Sequence, residues 1–251
     1  MLAELRMKLE VDNTAFGYYQ SSNMQGVLME QISAEYAERL HEQGIKPYSQ
    51  CLLIGEEKEW IVKTCTREAY QEMILPLLDT EFTDFMIEKK QIHVTIKDKC
   101  LTSVNKKNLM DEFYSDTSSR YLYLEFLTPT AFKSNGKYVI VPTVRHIYQS
   151  LMNKYSAASE NTNMYDEETL EQLVEESSIN QYKLKSTCFP VEGVKIPSFK
   201  GEMCVKIEGT DTMARYARLL ARFGEYSGVG IKTAMGMGAL RIKERGQAHD
   251  R

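Results

Sequence analysis

The sequence predicts an α+β protein made of two tandem ferredoxin-like domains, each with the element order βαββαβ. Segments that alternate apolar and charged residues, as half-buried strands do, are interrupted by segments with apolar residues at helical spacing. The same order of elements then recurs in the second half of the chain. We therefore expect domains at residues 1–117 and 118–244, followed by a disordered tail at residues 245–251.

The first half begins with its clearest strand, because apolar and charged residues alternate strictly from Leu5 to Val11. A mostly apolar helical stripe then runs from Met24 to Leu40, and Gly44 is a suitable stop for a single helix. The predicted elements are, in order, strand 2–11, helix 24–40, strands 47–54 and 59–65, helix 67–78 and extended segment 82–102.

The second half follows a polar linker at residues 105–119 that carries only a short helical hint. Its Asn135–Gly136 pair predicts a turn, since both residues tolerate positive φ. The predicted elements are strand 121–127, helix 142–155, acidic helix 166–178, strands 182–187 and 195–208, helix 211–223 and strand 239–243.

Composition bounds the class of protein before any motif is considered. The chain has 251 residues, no signal pattern and no apolar run of membrane-spanning length, so we expect a soluble, cytoplasmic protein. Its five cysteines are scattered without a paired spacing, which predicts neither a zinc cluster nor a disulfide framework. No carboxylate cluster has metal-site spacing, so we expect no metal and disfavour a metal-dependent nuclease.

Charge is distributed unevenly along the chain, although the net charge is only −4. Residues 156–180 contain seven acidic side chains and no Lys or Arg. Residues 181–243 contain eleven basic and five acidic side chains. This polarity is compatible with a polyanionic partner for the C-terminal part, and equally with an ordinary solvated helix beside a basic surface.

A glycine-rich segment at residues 223–240 organises the end of the chain, and it holds five of the fourteen glycines. A row of bare backbone amides with Lys232 among them would suit phosphate oxygens. The spacing matches neither a Walker loop nor a dinucleotide fingerprint. A plain tight connection and a phosphate-binding loop therefore both stay open on glycine content alone.

The histidines are the natural acid–base candidates, and His41 differs from the others. It lies at the predicted end of a helix, where the helix dipole stabilises a charged imidazolium, and Lys46 follows in the loop. A purely structural role at the helix end is the alternative. His146 lies beside Arg145 at a predicted helix start and could contact phosphate, whereas His93 lies in a strand.

Four segments together resemble a known family. Residues Gly228 to Gly238 resemble the C-terminal glycine-rich signature of the repeat-associated RNA-binding superfamily of CRISPR systems. More narrowly, the chain resembles the endoribonuclease that cuts CRISPR precursor RNA within its repeats. The further matching segments are Met24–Gly26 at the helix start, Leu40–Glu42 with Lys46–Ser49, and Ser198–Glu202.

The resemblance implies metal-independent cleavage, in which a ribose 2′-hydroxyl attacks the adjacent phosphate. It makes His41 the catalytic histidine and Lys46 the matching lysine. Met29 stands where some members have a tyrosine base, so Tyr36 or Lys46 would have to serve. The expected RNA-binding residues are Gly228, Gly230, Lys232, Thr233, Gly236, Gly238, Arg215, Arg218, Arg222, Arg145 and His146.

The implied partner is CRISPR repeat RNA, with other CRISPR effector proteins as further candidates, and no cofactor is implied. The protein would act as a monomer or homodimer. A non-catalytic RNA-binding subunit of the same superfamily is the second hypothesis. A small-molecule-binding regulatory module with the same fold is the third.

Overall fold

The computed structural model describes residues 1–12, 16–42, 44–115, 119–159, 165–191 and 193–243. The expected domain boundary between residues 117 and 118, and the expected tail with His249, lie outside these ranges. No helix in the described ranges is both long and apolar enough to cross a membrane. Of the five cysteines, Cys51, Cys65 and Cys204 are buried, and Cys100 and Cys188 are exposed.

The first half of the chain forms a five-stranded antiparallel sheet with the order β2-β3-β1-β5-β4. Alternating burial along β1 places its apolar residues in the core, as the sequence predicted. The core centres on Trp60 and is closed by the helices. The elements are β1 (Leu2–Glu10), α1 (Ser21–Glu30), α2 (Ala34–Glu42), β2 (Tyr48–Ile54), β3 (Lys58–Thr64), α3 (Arg67–Ala69), α4 (Leu75–Leu78), β4 (Asp84–Ile87) and β5 (Ile92–Val104).

The single helix expected over residues 24–40 is wrong, because the structure breaks it into α1 and α2. The break falls just before Ser33, whose hydroxyl accepts a hydrogen bond from the amide of Tyr36 at 3.3 Å. This serine thus caps the start of a second helix, as serine commonly does. The break turns α2 and brings its C-terminal end back towards α1.

The segment expected to be mostly extended over residues 82–102 is confirmed, and a turn divides it into a hairpin. A short 3₁₀ turn at Glu88–Lys90 separates β4 from β5, and Gln91 follows it in the left-handed conformation with φ of 51°. The hairpin adds an edge strand to the sheet.

The second half forms a four-stranded antiparallel sheet with the order β11-β6-β10-β9. Its core lies between this sheet and helices α6, α7 and α8. The elements are α5 (Lys106–Ser115), β6 (Tyr121–Thr130), β7 (Phe132–Ser134), β8 (Lys137–Val139), α6 (Val144–Ala157), α7 (Glu167–Glu175), β9 (Ser177–Val191), β10 (Val194–Ile207), α8 (Asp211–Ser227) and β11 (Leu240–Lys243).

Strands β9 and β10 form a hairpin much longer than the strand expected over residues 182–187. The two strands pair from Ser177 and Ile207 out to Val191 and Val194. Their outer part extends beyond β6, and Phe189 there packs with Tyr18 of the first half. The hairpin therefore reaches across from the second sheet to the first.

The two halves dock through three apolar contacts. Leu219 and Phe223 of α8 pack with Leu2 and Cys65 of the first sheet. Cys51 and Ile61 contact Ala239 in a second cluster, and the outer part of the hairpin makes the third. The residues between these contacts form a groove.

Candidate active site

A groove of about 640 Å³ lies where the two halves meet. Helix α1 forms one wall, and the C-terminal end of α2 and the β4–β5 turn form another. The tip of the β9–β10 hairpin and the glycine-rich segment close it from the second half. Gly26 contributes open space, since a Cβ there would meet nothing within 4 Å. The residues that line the groove include Gly26, Met29, His41, Lys89, Lys90 and Met235.

His41 lines this groove from the last turn of α2, and its side chain is exposed. The carbonyls at a helix C-terminus carry partial negative charge, which stabilises an imidazolium. An exposed imidazole in a groove is suited to donate a proton to a bound oxygen. The residue singled out by the sequence prediction is thus accessible in this groove.

Lys46 holds the end of α2 and does not line the groove. Its ammonium donates a hydrogen bond to the carbonyl of Leu40, the residue before His41. Partial burial lowers the pKa of Lys46. A lysine on the last carbonyls of a helix satisfies groups that would otherwise lack a donor. The contact thus fixes the backbone that carries His41.

Tyr36 is wrong as a candidate base. It belongs to the core of the first half, with a relative exposure of 1%. Burial, aided by Glu68 and Glu72, raises the pKa of Tyr36 above its ordinary value. Its hydroxyl finds no hydrogen-bond partner within the described part of the chain. A phenol so enclosed neither meets RNA nor ionises readily.

The glycine-rich segment is a close-packed junction, and the expectation of bare amides is wrong for three of its glycines. The amide of Gly228 donates to Gly224 at 2.9 Å, that of Gly230 to the hydroxyl of Ser150 at 2.8 Å, and that of Gly238 to Pro129 at 3.0 Å. These amides already have protein acceptors. These three N–H groups are therefore not free to donate to a phosphate oxygen.

Gly236 shows why this segment needs glycine. Its φ is +107°, and a Cβ built there would lie 2.1 Å from the Cβ of Ser21 at the start of α1. Real side chains do not approach so closely, so only glycine lets the segment lie against α1. The adjacent Met235 consequently reaches the groove.

A buried amide ties the segment to the first half. The side chain of Gln50 donates to the carbonyl of Ser21 at 2.7 Å and to that of Ala234 at 3.1 Å. Its oxygen accepts from the indole of Trp60 at 3.1 Å. Gln50 is 2% exposed, so these bonds form away from water, where breaking one is costly.

A half-buried lysine ties the segment to the second half. The ammonium of Lys154 donates to Thr233 at 2.7 Å and to the carbonyl of Ser227 at 3.2 Å, in the last turn of α8. Burial lowers the pKa of Lys154 to about 8. Thr233 itself is buried, so it positions the segment through Lys154, while Lys232 beside it is exposed.

Comparison with known proteins bears on this architecture. The family model "CRISPR-associated endoribonuclease Cas6" matches residues 124–240. A CRISPR-associated endoribonuclease Cas6 of Streptococcus thermophilus is 37% identical over 227 residues, covering 88% of this chain and 90% of that protein. The chain belongs to the Cas6 family of CRISPR-associated endoribonucleases.

Other Cas6 proteins agree with this assignment. A Cas6 of Mycobacterium tuberculosis is 34% identical over 247 residues, covering 96% of this chain and 78% of that protein. A solved Cas6 product complex superposes with a TM-score of 0.79 at 22% identity, covering 97% of this chain and 99% of that chain. Thermus thermophilus Cas6 superposes with a TM-score of 0.69 at 20% identity, covering 97% and 98%. The family fold thus extends over nearly the whole chain.

The three arginines of α8 lie outside this Cas6 groove. Arg218 donates to the carbonyl of Ser119 at 3.1 Å, and Arg222 pairs with Glu225 at 3.2 Å. Arg215 is half-buried on the same helix. The structure therefore does not bring this arginine face to His41.

Arg145 and His146 at the start of α6 also have structural partners. Arg145 pairs with Glu167 and Glu171 of the acidic helix α7. The amide of Thr143 donates to His146 Nδ1 at 3.3 Å, and Thr143 caps the helix in return. Burial, followed by the charge of Arg145, lowers the pKa of His146. A neutral imidazole is the form that this cap requires.

Lys89 and Lys90 are the groove residues that sequence reasoning missed. Both are exposed in the β4–β5 turn and line the groove with His41. The available signal is the charged run 88–90 within an otherwise alternating segment, which indicates a turn between two strands. Across the described ranges, no three His, Cys, Asp or Glu side chains lie together as a metal site would place them.

Proposed function

We propose that this chain cleaves CRISPR precursor RNA within its repeats, by attack of a ribose 2′-hydroxyl on the adjacent phosphate without a metal ion. The products are a 2′,3′-cyclic phosphate and a 5′-hydroxyl. One observation carries the proposal: His41 stands exposed in a groove shared by both halves of a Cas6 chain. One protein of the same fold has been solved as a Cas6 product complex, which supports RNA as the partner by analogy.

His41 acts as the general acid in this mechanism. The bond from phosphorus to the 5′-oxygen breaks as the bond from the 2′-oxygen forms. The 2′-hydroxyl releases its proton to solvent water, and the imidazolium gives its proton to the leaving 5′-oxygen. The neutral imidazole is left after the transfer and regains a proton from solvent.

Positive charge near the phosphate stabilises the pentavalent transition state. Lys89 and Lys90 line the groove and supply this charge from the β4–β5 turn. Lys46, the lysine matched by resemblance, is the second candidate, but its ammonium would first have to leave the carbonyl of Leu40. Met29 lines the groove at the family's tyrosine position and accepts no proton, so no protein base is assigned.

We also propose that the two halves are tandem ferredoxin-like domains at about residues 1–117 and 118–244. The support is their shared strand order. The four strands that the two halves share can be numbered in chain order within each half. Both sheets then have the order fourth, first, third, second, which is β5-β1-β3-β2 in the first half and β11-β6-β10-β9 in the second. Helices fill the crossovers between the first and second strands and before the last in each half.

Cleavage of a repeat RNA in excess EDTA tests the chemistry. We expect the unmodified protein to cut, and the upstream product to resist end-labelling chemistry that needs a free 2′,3′-diol. Replacing the ribose upstream of the cut by 2′-deoxyribose should abolish cleavage while binding is kept. A strict requirement for added divalent metal would contradict the mechanism.

His41→Ala tests the acid, with His93→Ala as the matched control. His93 is an exposed histidine of the same half, paired with Asp84 at 2.7 Å outside the groove. We expect His41→Ala to lose about 10²–10⁴-fold in single-turnover rate with RNA affinity intact, the usual contribution of acid–base catalysis. Equal loss in both variants would remove His41 from the proposed role.

A non-catalytic RNA-binding role is the second candidate function. Met29 in the groove and the engaged ammonium of Lys46 favour it, since both leave the site with fewer reactive groups than the family pattern. Tight binding of repeat RNA by the unmodified protein without any cut product would decide for this role.

A further inference from the structure

The outward face of the second sheet, on the side away from α6 and α8, carries a pair of stacked aromatic rings. Tyr121 and Tyr123 lie on β6, one of the two central strands, with ring centroids 6.5 Å apart and planes 27° from parallel. Both side chains are half-buried and reach solvent. Their neighbours Leu122 and Leu124 point to the opposite, buried face.

The same face is strongly basic, although the whole chain is acidic. Residues that oppose one another in register share a face, and β11, β6, β10 and β9 can be read across in this way. Within these described strands the face holds six basic and two acidic side chains, leaving a net charge of +4. The basic residues are Lys183, Lys185, Lys200, Lys206, Arg241 and Lys243, and the acidic ones are Glu125 and Glu202.

Both acids of this face are already neutralised. Arg241 pairs with Glu125 at 2.6 Å, and Lys243 pairs with Glu202 at 2.5 Å. By contrast, none of the described carboxylates lies within ion-pair distance of Lys183, Lys185 or Lys200. All three of these lysines are exposed. The uncompensated charge of the face is therefore concentrated on the β9–β10 hairpin.

Lys185 and Lys200 lie directly opposite one another across the two strands. Like charges in this position repel and destabilise a sheet unless an anion lies between them. Lys200 also lines a cleft whose facing wall carries Glu56, Glu57 and Glu59, of which Glu57 and Glu59 are paired with Lys8 and Arg6. Among the described residues, no carboxylate of that wall forms an ion pair with Lys185 or Lys200.

We propose that this face binds single-stranded RNA, with bases stacked on Tyr121 and Tyr123 and phosphates held by Lys183, Lys185 and Lys200. Across the register, Tyr123 is level with Gln181 of β9. Lys183 and Lys185 follow two and four residues further along β9, about 7 and 13 Å, and Lys200 lies opposite Lys185. An extended RNA strand that runs along the sheet would therefore meet the rings first and the ammonium groups next. Stacking on aromatic rings of a four-stranded sheet is a general way of binding unpaired bases. The RNA ligand rests on the proposed function, but the site is separate from the His41 groove.

A fluorescein-labelled oligouridine of twelve nucleotides probes the face directly. We expect Tyr121→Ala with Tyr123→Ala to weaken binding about 10-fold or more, and the double Phe variant to keep it, because stacking needs the ring alone. Tyr182→Ala is the matched control, since Tyr182 is exposed on β9 but lies on the other face. Unchanged binding in the double Ala variant, an equal loss in the control, or no binding by the unmodified protein would overturn the proposal.

The lysines are tested through salt dependence. Lys185→Gln with Lys200→Gln should lower the slope of log affinity against log salt by about 1.4, since each phosphate contact on a single strand contributes about 0.7. Unfolding followed by the fluorescence of Trp60 checks that each variant keeps its fold. An unchanged slope would remove these lysines from the site.

Repeat RNA with and without a single-stranded extension separates this proposal from the cleavage proposal. We expect the extension to tighten binding to the unmodified protein and not to the double Ala variant, with the single-turnover rate at saturating protein unchanged. If oligouridine binds through the tyrosines and no RNA is cut, the binding proposal is supported and the cleavage proposal is rejected. If RNA is cut and the extension does not tighten binding, the cleavage proposal is supported and the binding proposal is rejected.

Discussion

Gly236→Ala should destabilise the protein more than an ordinary glycine substitution. A non-glycine residue in the left-handed region costs about 1–2 kcal/mol. The new Cβ would also lie 2.1 Å from the Cβ of Ser21, and forced overpacking costs about 1–3 kcal/mol more. The total of about 3 kcal/mol corresponds to a fall in Tm of about 6–12 °C for a chain of this size.

Gly136→Ala is the matched control for this substitution. Gly136 has φ of +77°, and a Cβ there would meet nothing within 4 Å. It therefore carries the backbone cost without the clash, about 1–2 kcal/mol and about 2–8 °C. The difference between the two variants isolates the contact between the glycine-rich segment and α1.

Thermal and urea unfolding followed by Trp60 fluorescence provide the assay. Trp60 is the only tryptophan, it is fully buried, and it donates to Gln50 beside the contact. A double-mutant cycle with Ser21→Gly removes the Cβ that clashes, so the two substitutions should be markedly non-additive. Equal Tm values for Gly236→Ala and Gly136→Ala, or additivity in the cycle, would refute the reasoning.

Three further outcomes follow from buried and groove-lining groups. Tyr36→Phe deletes a buried hydroxyl that has no described partner, so the free energy of unfolding should stay the same or rise by up to about 1 kcal/mol. The cleavage rate should not change. Unfolding and single-turnover assays measure the two quantities. Folding lowers the pKa of Lys154 from 10.5 to about 8, so between pH 8 and 10.5 the unfolded chain binds more protons than the folded chain. The free energy of unfolding should therefore rise with pH over this range, by up to about 3 kcal/mol. Urea titrations should show that Lys154→Met loses this rise. Lys89→Gln with Lys90→Gln should slow cleavage and flatten its salt dependence, whereas Lys137→Gln, an exposed lysine outside the groove, should change neither.

Three strands of the first half could be predicted closely from the sequence. The expected strands at 2–11, 47–54 and 59–65 correspond to β1, β2 and β3. Burial alternates along β1, whereas β2 and β3 are each buried over five consecutive residues. The full length of β9 could not be predicted, since much of the strand is exposed and carries Lys, Ser and Thr rather than an apolar stripe. The alternation of apolar and polar residues cannot by itself identify a strand whose two faces are both polar.

Helix breaks and turns were harder to predict because single side chains decide them. The apolar stripe continues through the break between α1 and α2, and only the capping hydroxyl of Ser33 interrupts the backbone. The turn after β4 depends on Gln91 adopting positive φ, which glutamine does not usually signal. Each of these features changes where the walls of the groove lie.

Candidate site residues could be predicted where their residue type and their place in a helix decide the choice. They could not be predicted where the choice depends on how helices and turns pack together. His41 stands out because its residue type and its place at a helix end can both be read from the chain. The role of Tyr36 could not be judged, since its burial follows from how α2 packs on the sheet. Lys89 and Lys90 gain their position only when the β4–β5 turn meets the other walls.

Because the groove that holds His41 is lined by residues within 22–30, at 41, within 86–90, and at 193 and 235, neither half of the chain contains it alone. Fragments divided between β5 and β6 would each keep a sheet and its covering helices, yet should be inert until they reassociate. Reconstitution would then report docking directly, with turnover appearing in proportion to the heterodimer formed. The proposed active centre would belong to the contact between the halves.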